Sequence, residues 1–170
     1  MVIRKAGIPV TKVVALLDVM WDWRMKTSMA NPNYLAEAPR CFRINPENKS
    51  GKMLYKLIGH SDLLVTNTCP QLVKSARDKG KPETDWTREN LLLLYPFELL
   101  LVCGRIAQST YDQIRNLNLE YRTIYMPHPA ARTWSKRDIQ FASKIIRQGT
   151  HDLWLDFCDG RLRASALPPF

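Results

Sequence analysis

Asn67 and His128 carry the side chains that best suit recognition and bond cleavage in this sequence. Asn67 directly follows an apolar run and offers a carbonyl acceptor and an amide donor, the pair that can read the edge of a nucleobase. His128 stands between Pro127 and Pro129, which restrict the backbone and aim the imidazole. A neutral histidine there can donate a hydrogen bond to negative charge that develops on a carbonyl oxygen. The alternative is structural: Asn67 would hold a turn and His128 would cap a helix.

Aromatic and basic residues could bind the rest of a nucleic acid. The long segment after the first apolar run contains four aromatic residues that could form a stacking wall: Trp21, Trp23, Tyr34 and Phe42. Arg132 and Lys136 follow His128 and could bind phosphates. Arg105 and Lys74 are further candidates for DNA contacts. The tryptophans could equally belong to the core, and the cations to a solvated surface.

The composition predicts a folded, basic protein. The chain has 170 residues, of which 45% are hydrophobic and 24% are charged, so one domain with a substantial core is expected. Lys and Arg number 25 against 16 acidic residues, and the net charge of +9 favours nucleic acid as a partner. No apolar run approaches the roughly 20 residues of a membrane span, and the first residues lack a signal-peptide pattern. We therefore expect a cytoplasmic or nucleoid-associated protein that binds single- or double-stranded DNA and no membrane.

The four cysteines are widely spaced and include no CxxC pair: Cys41, Cys69, Cys103 and Cys158. This spacing argues against a disulfide scaffold or a zinc ribbon and favours reduced thiols. A four-cysteine iron–sulfur site stays open, because such ligands can lie far apart in a sequence.

Strand and helix patterns alternate along the chain. The apolar runs predict strands at 12–17, 62–66, 98–103 and 121–126. Periodicity and capping residues predict helices at 51–58, from about 86, at 104–117 and at 135–147. This order predicts an α/β fold, a three-layer α/β/α sandwich with a central four-stranded, mainly parallel sheet. We expect a single domain over 1–170, with a core of 11–148 and a C-terminal tail of 149–170.

In sheets of this kind, ligands bind outside the carboxyl ends of the strands. That rule selects four segments of the chain: 18–23, 67–69, 104–105 and 128–134. We therefore expect Asn67, His128 and an acidic side chain of the first segment to meet at one edge of the sheet.

Three segments also carry a family resemblance: VTNTCPQL at 65–72, LLVCGRIAQSTYD at 100–112 and MPHPAARTW at 126–134. In order and spacing they resemble the uracil-DNA glycosylase superfamily, particularly its single-strand-selective monofunctional branch. In that family the first segment supplies an Asn that reads the base, and the last is a His-Pro motif followed by a loop that enters the minor groove. The resemblance covers about 12–148, and it implies a single glycosylase-like domain active in DNA repair or on modified DNA.

The resemblance implies a base-flipping mechanism that needs no metal and no cofactor. Asn67 would read a flipped-out uracil or other altered pyrimidine, and one aromatic side chain of the long segment (Trp21, Trp23 or Phe42) would stack on it. His128 would stabilise the base as it leaves as an anion. The N-glycosidic bond would then be hydrolysed by a water molecule that an acidic residue positions.

The first motif departs from the family pattern. The family has a Gly- and Pro-containing loop after the first strand, whereas the corresponding stretch here, LLDVMWDWRMKTS, contains neither residue. Asp18 and Asp22 are the available carboxylates, and Asp18 is preferred because it directly follows the predicted strand. The departure leaves three alternatives: an enzyme of the same fold that acts on phage-type modified bases by cleavage or group transfer, a non-catalytic DNA-binding module, or an enzyme for small nucleotides.

Overall fold

The computed structural model of the chain describes residues 11–21, 38–59, 62–73, 80–148 and 152–166. The strands in these ranges are β1 Val13–Leu17, β2 Met20–Trp21, β3 Leu63–Asn67, β4 Leu72–Val73, β5 Leu99–Cys103, β6 Arg122–Met126, β7 Leu153–Cys158 and β8 Arg161–Ala166. Six of them form the main sheet, in the order β3-β1-β5-β6-β7-β8. Neighbouring strands run parallel except β8, which is antiparallel to β7. The α/β class with a mainly parallel sheet is confirmed, whereas the predicted number of four strands is wrong.

The two additional strands come from the segment expected to be a C-terminal tail. Residues 152–166 form a β-hairpin whose turn lies at Asp159 (φ 52°) and Gly160 (φ 76°). Two consecutive residues with positive φ are typical of a type I′ turn, whose twist suits antiparallel strands. Leu155 and Leu162 from the two strands are buried, so the hairpin belongs to the same core as the rest of the sheet.

Helices cover both faces of the main sheet. The described residues contain α1 Lys49–Ile58, α2 Thr84–Leu94, α3 Arg105–Asp112 and α4 Lys136–Gln148. Helices α1 and α4 pack on the face that contains Ala15 and Val65, whereas α2 and α3 pack on the face that contains Leu16 and Leu100. Strands covered on both sides are apolar throughout, since successive side chains point to opposite faces. Within the described ranges, no helix combines the length and apolar character that crossing a bilayer demands.

Polar side chains fix where α1 and α4 begin. The Asn48 Oδ1 atom accepts the Gly51 N–H at 2.7 Å at the start of α1. At the start of α4, Ser135 Oγ accepts the Asp138 N–H at 3.1 Å and Asp138 Oδ2 accepts the Ser135 N–H at 3.0 Å. This reciprocal arrangement is a capping box. The prediction that a helix starts after Ser135 is confirmed, whereas the helix expected at 104–117 already ends at Asp112.

A small second sheet extends two strands beyond the carboxyl edge of the main sheet. Strands β2 and β4 pair in parallel, Met20 with Leu72 and Trp21 with Val73. They follow β1 and β3, which are themselves neighbours in the main sheet. The segments that join β1 to β2 and β3 to β4 therefore lie at the edge where ligands bind in α/β folds.

Candidate active site at the carboxyl edge of the sheet

The carboxyl ends of β3, β1, β5 and β6 lie side by side. Asn67 at the end of β3 is in register with Leu17 at the end of β1, and Cys103 at the end of β5 is in register with Met126 at the end of β6. Asp18 therefore leaves the sheet next to Asn67, and Gly104 leaves it next to the segment that contains His128. The expectation that these segments share one edge is met by the strand order.

Backbone hydrogen bonds hold Asp18 between the two sheets. Its carbonyl oxygen accepts the Cys69 N–H at 2.9 Å and the Thr68 hydroxyl at 3.0 Å. Its carboxylate Oδ1 atom accepts the N–H of Val19 at 2.8 Å. The side chain keeps 29% of its surface exposed, so this carboxylate is fixed in place and still open to a ligand or to water.

Neighbouring backbone groups fix the ring of His128 in one orientation. The Nδ1 atom accepts the N–H of Ala130 at 3.0 Å. An accepting Nδ1 carries no proton, and this bonding pattern therefore assigns the proton of the neutral ring to Nε2. The carbonyl oxygen of His128 accepts the Ala131 N–H at 2.9 Å and the indole N–H of Trp134 at 3.0 Å. His128 thus presents an Nε2–H donor from a turn that is bonded on both sides.

Asp18 and His128 meet at this edge. The His128 Nε2 atom lies 3.7 Å from Asp18 Oδ1, which is longer than a hydrogen bond but still places the imidazole directly beside the carboxylate. Burial acts to raise the pKa of Asp18, but the nearby imidazole and the Val19 N–H outweigh it and hold that pKa below its ordinary value. Asp18 is therefore a carboxylate at neutral pH.

Gly104 provides the space that His128 needs to reach Asp18. Strand β5 lies between β1 and β6, so the His128 segment crosses the end of β5 at Gly104. Gly104 has φ of 86°, which favours glycine, and a Cβ atom there would lie 3.3 Å from the His128 Cβ. The glycine therefore allows both the turn into α3 and the close approach of the histidine.

Asn67 is the most unusual polar residue of the described structure. It is 1% exposed, and both its Oδ1 and Nδ2 atoms are buried without a hydrogen-bond partner among the described residues. Its backbone carbonyl, by contrast, accepts the indole N–H of Trp86 at 3.1 Å. Buried polar groups without partners are rare in folded proteins, and each one needs an explanation. A free acceptor and a free donor side by side at a strand end are what a ligand-reading amide requires.

Trp86 and Arg40 support the strand that carries Asn67. The Arg40 guanidinium lies 4.0 Å from the centre of the Trp86 ring and donates to Glu89 Oε2 at 3.0 Å and to Asn90 Oδ1 at 3.1 Å. Sequence reasoning missed this support, because nothing in the local pattern links Arg40 to a helix so far along the chain. The one available signal was the position of Trp86 in the first turn of α2, which places it near an edge of the sheet.

The remaining candidates divide into three groups. Arg105, Arg132 and Lys136 are exposed and follow the ends of β5 and β6, on the same edge as His128. Phe42 pairs with Val65 of β3 through its backbone, and its ring packs against the core on the α1 and α4 face, so that its stacking role stays a prediction. The backbone of Trp21 lies in β2, and four further candidates fall outside the described residues: Asp22, Trp23, Tyr34 and Lys74.

The cysteines and other potential metal ligands do not cluster. The four cysteines, all of which lie in the described ranges, form no disulfide, and Cys69 and Cys103 are buried. Burial raises the pKa of the Cys69 and Cys103 thiols, which keeps them protonated and unreactive. No group of three or more His, Cys, Asp or Glu side chains within the described ranges could hold a metal ion.

Comparison of the chain with protein-family models and with curated proteins finds no match in either set. Function is therefore inferred from the side chains at the carboxyl edge.

Proposed function

We propose that this protein is a DNA glycosylase-like enzyme that hydrolyses the N-glycosidic bond of uracil or another altered pyrimidine in DNA. The observation that carries the proposal is the buried amide of Asn67, which no described residue bonds, at the same sheet edge as the Asp18 and His128 pair. A nucleobase is planar and presents donors and acceptors along one edge, so it can satisfy both amide atoms at once. Reaching a base with a buried amide requires the nucleotide to be flipped out of its strand.

His128 stabilises the departing base in this proposal. The electron pair of the C1′–N bond leaves with the base, and negative charge develops on its carbonyl oxygen. The Nε2–H of His128 is the ring donor left for a base, because Nδ1 is occupied by the Ala130 N–H. A donor fixed before the reaction begins contributes more than a mobile one, since it needs no reorganisation.

Asp18 acts on the sugar and on the attacking water. Its ionised carboxylate stabilises the positive charge that develops on the sugar and accepts a hydrogen bond from the water. The water oxygen forms the new bond to C1′, and its proton passes to the carboxylate and then to solvent. The exposed cations Arg105, Arg132 and Lys136 lie on the same edge and are suited to the phosphates on either side of the flipped nucleotide.

The test is incubation with oligonucleotides that each contain one altered base, followed by alkaline cleavage at abasic sites. We expect strand cleavage at one class of pyrimidine in single- or double-stranded substrate, and loss of that cleavage in Asp18→Asn and His128→Ala. Binding without an abasic product from any base would instead support the non-catalytic DNA-binding module. Cleavage of a phage-type modified base, or transfer of a group to it, would support the enzyme of the same fold that acts on such bases. The absence of salt-dependent DNA binding would favour an enzyme for small nucleotides.

A further inference from the structure

Helices α1 and α4 carry an unbalanced positive charge. Helix α1 contains Lys49, Lys52 and Lys56 and no acidic residue. Helix α4 contains four cations, Lys136, Arg137, Lys144 and Arg147, and a single acidic residue, Asp138. All seven cations are exposed, and none forms an ion pair with a described residue. This layer of the molecule therefore presents a cationic surface.

The one acidic residue of these two helices, Asp138, is buried and is not part of the exposed surface. Asp138 is 7% exposed, and its Oδ1 atom accepts the N–H of Leu162 at 3.1 Å. Its Oδ2 atom accepts the Ser135 hydroxyl at 2.6 Å. Both oxygens are thus used in joining α4 to its cap and to β8.

The two helices on the opposite face of the sheet carry no net positive charge. Helix α2 contains Asp85 and Glu89 against Arg88, and α3 contains one residue of each sign, Arg105 and Asp112. Arg88 donates to Asp85 at 3.1 Å. Among the four described helices, a net positive charge is therefore found only on α1 and α4.

A groove of about 390 Å³ lies in this layer, lined by Lys56 of α1 and by Ile139, Gln140, Ser143, Lys144 and Arg147 of α4. Three cations and two neutral polar side chains surround one apolar residue, and no carboxylate lines it. Lys56 and Arg147 lie in the last turns of their helices, where a cation offsets the helix dipole. That effect falls off within a turn of the helix end, and it therefore does not account for Lys49, Lys52 or Lys136.

The two helices lead from the candidate active site to the opposite edge of the sheet. Helix α4 connects the carboxyl end of β6 to the start of β7, and α1 precedes the start of β3. Cations occur along both helices from their first residues, Lys49 and Lys136, to their last turns, so the charge continues for about 15–20 Å at 1.5 Å per residue. A linear polyanion with regularly spaced charges matches this surface.

We propose that the groove between α1 and α4 binds the sugar-phosphate backbone of the DNA strand that leaves the base site. The choice of DNA rests on the proposed glycosylase function, whereas the position of the surface rests on charge and shape alone. Gln140 and Ser143 also line the groove and can donate hydrogen bonds to phosphate oxygens that no Lys or Arg contacts.

The experiment measures the affinity of the full chain for a fluorescein-labelled single strand of 20 nucleotides without any altered base, by anisotropy over a series of salt concentrations. Lys56→Glu and Lys144→Glu are compared with Arg88→Glu, which changes the net charge equally on the opposite layer. We expect each groove variant to weaken binding about fivefold or more and to reduce the salt slope by about 0.7 or more, and Arg88→Glu to do neither. Lys144→Gln, which removes the charge without reversing it, should give a smaller change in the same direction.

Equal weakening by Lys144→Glu and Arg88→Glu would overturn the proposal, because net charge alone would then explain binding. Unchanged binding in both groove variants would also overturn it. The labelled strand contains no base to excise, so the result is independent of glycosylase activity. If the base panel shows no excision, the proposed function fails while the groove measurement still stands, and a failed groove leaves excision intact.

Discussion

The Nε2 atom of His128 lies 3.7 Å from Oδ1 of Asp18, although the two residues follow strands that β5 separates in the sheet. The contact depends on the absence of a side chain at Gly104, over which the His128 segment passes. Because this distance exceeds that of a hydrogen bond, the His128 Nε2–H and the Asp18 carboxylate can both still bond to a ligand. The pair can therefore act on a ligand from two sides, with a proton donor at Nε2 and a negative charge at the carboxylate.

His128→Ala should lower the rate of base excision by several orders of magnitude. The substitution removes the Nε2–H donor that the proposal assigns to the departing base, and such donors contribute strongly to stabilising a developing oxyanion. Single-turnover excision at saturating enzyme measures the effect without interference from DNA binding. A loss below about tenfold would remove His128 from the proposed role.

Arg132→Ala is the companion variant, for which weaker binding and a salt slope lower by about one are expected with a smaller change in rate.

Asn67→Ala should leave the free energy of unfolding unchanged or raise it by about 1 kcal/mol, because it removes two buried atoms that have no partners in the described structure. Excision should nevertheless be lost. Asn90→Ala is the matched control, since Asn90 is equally buried but its Oδ1 atom accepts from Arg40. That control should cost about 1–2 kcal/mol. Denaturant unfolding of both variants decides the matter, and a larger loss for Asn67→Ala than for Asn90→Ala would mean that Asn67 is structural.

Gly104→Ala should reduce both stability and excision. Its φ of 86° disfavours any side chain, and the new Cβ would lie 3.3 Å from that of His128 and push the histidine away from Asp18. Gly160→Ala has a similar strain at φ of 76°, but nothing lies within 4 Å of its Cβ position. Both variants should lose about 1–2 kcal/mol of stability, and only Gly104→Ala should lose activity. Equal activity in the two variants would show that the approach to His128 is not critical.

Asp138→Ala should destabilise the protein by about 2 kcal/mol at neutral pH, because it leaves the Leu162 N–H and the cap of α4 without acceptors. The hydrogen bonds from Ser135 lower the pKa of Asp138 below its ordinary value of 3.8. A lowered pKa in the folded state gives a stabilisation that is complete above the unfolded value and is lost as the pH falls through the folded value. The difference between wild type and variant should therefore shrink below about pH 4, as urea unfolding at several pH values would measure. A difference that stays constant down to pH 2 would contradict the ionised cap.

The alternation of strands and helices could be predicted because its signals are local. Apolar runs at β1, β3, β5 and β6 and the Ser135 cap each lie within a few residues of the element that they specify. The β7–β8 hairpin had a local signal too, since Asp159–Gly160 lies between residues of alternating character. Reading that segment as a tail overlooked this turn, and with it a third of the strands of the main sheet.

The candidate site could be predicted only as a set of strand ends. The order of strands along the chain brings Asp18, Asn67 and His128 to one edge, which the rule for parallel sheets anticipates. The hydrogen bond from Trp86 and the Nδ1 bond that orients His128 depend on side-chain placement in three dimensions, and no sequence pattern encodes them. The ring of Phe42 packs against the core, which its sequence neighbours do not specify, and its stacking role stays a prediction.

The buried amide of Asn67, which has no hydrogen-bond partner among the described residues, bears on which ligands this protein would accept. A base whose edge complements the amide forms hydrogen bonds with both Oδ1 and Nδ2. A base with a mismatched edge leaves one of these atoms buried without a hydrogen bond. Sites built this way reject close analogues by about 10⁴–10⁵ without any steric obstacle. Selectivity at Asn67 would then arise because a poorly matched base leaves a hydrogen bond of the buried amide unmade.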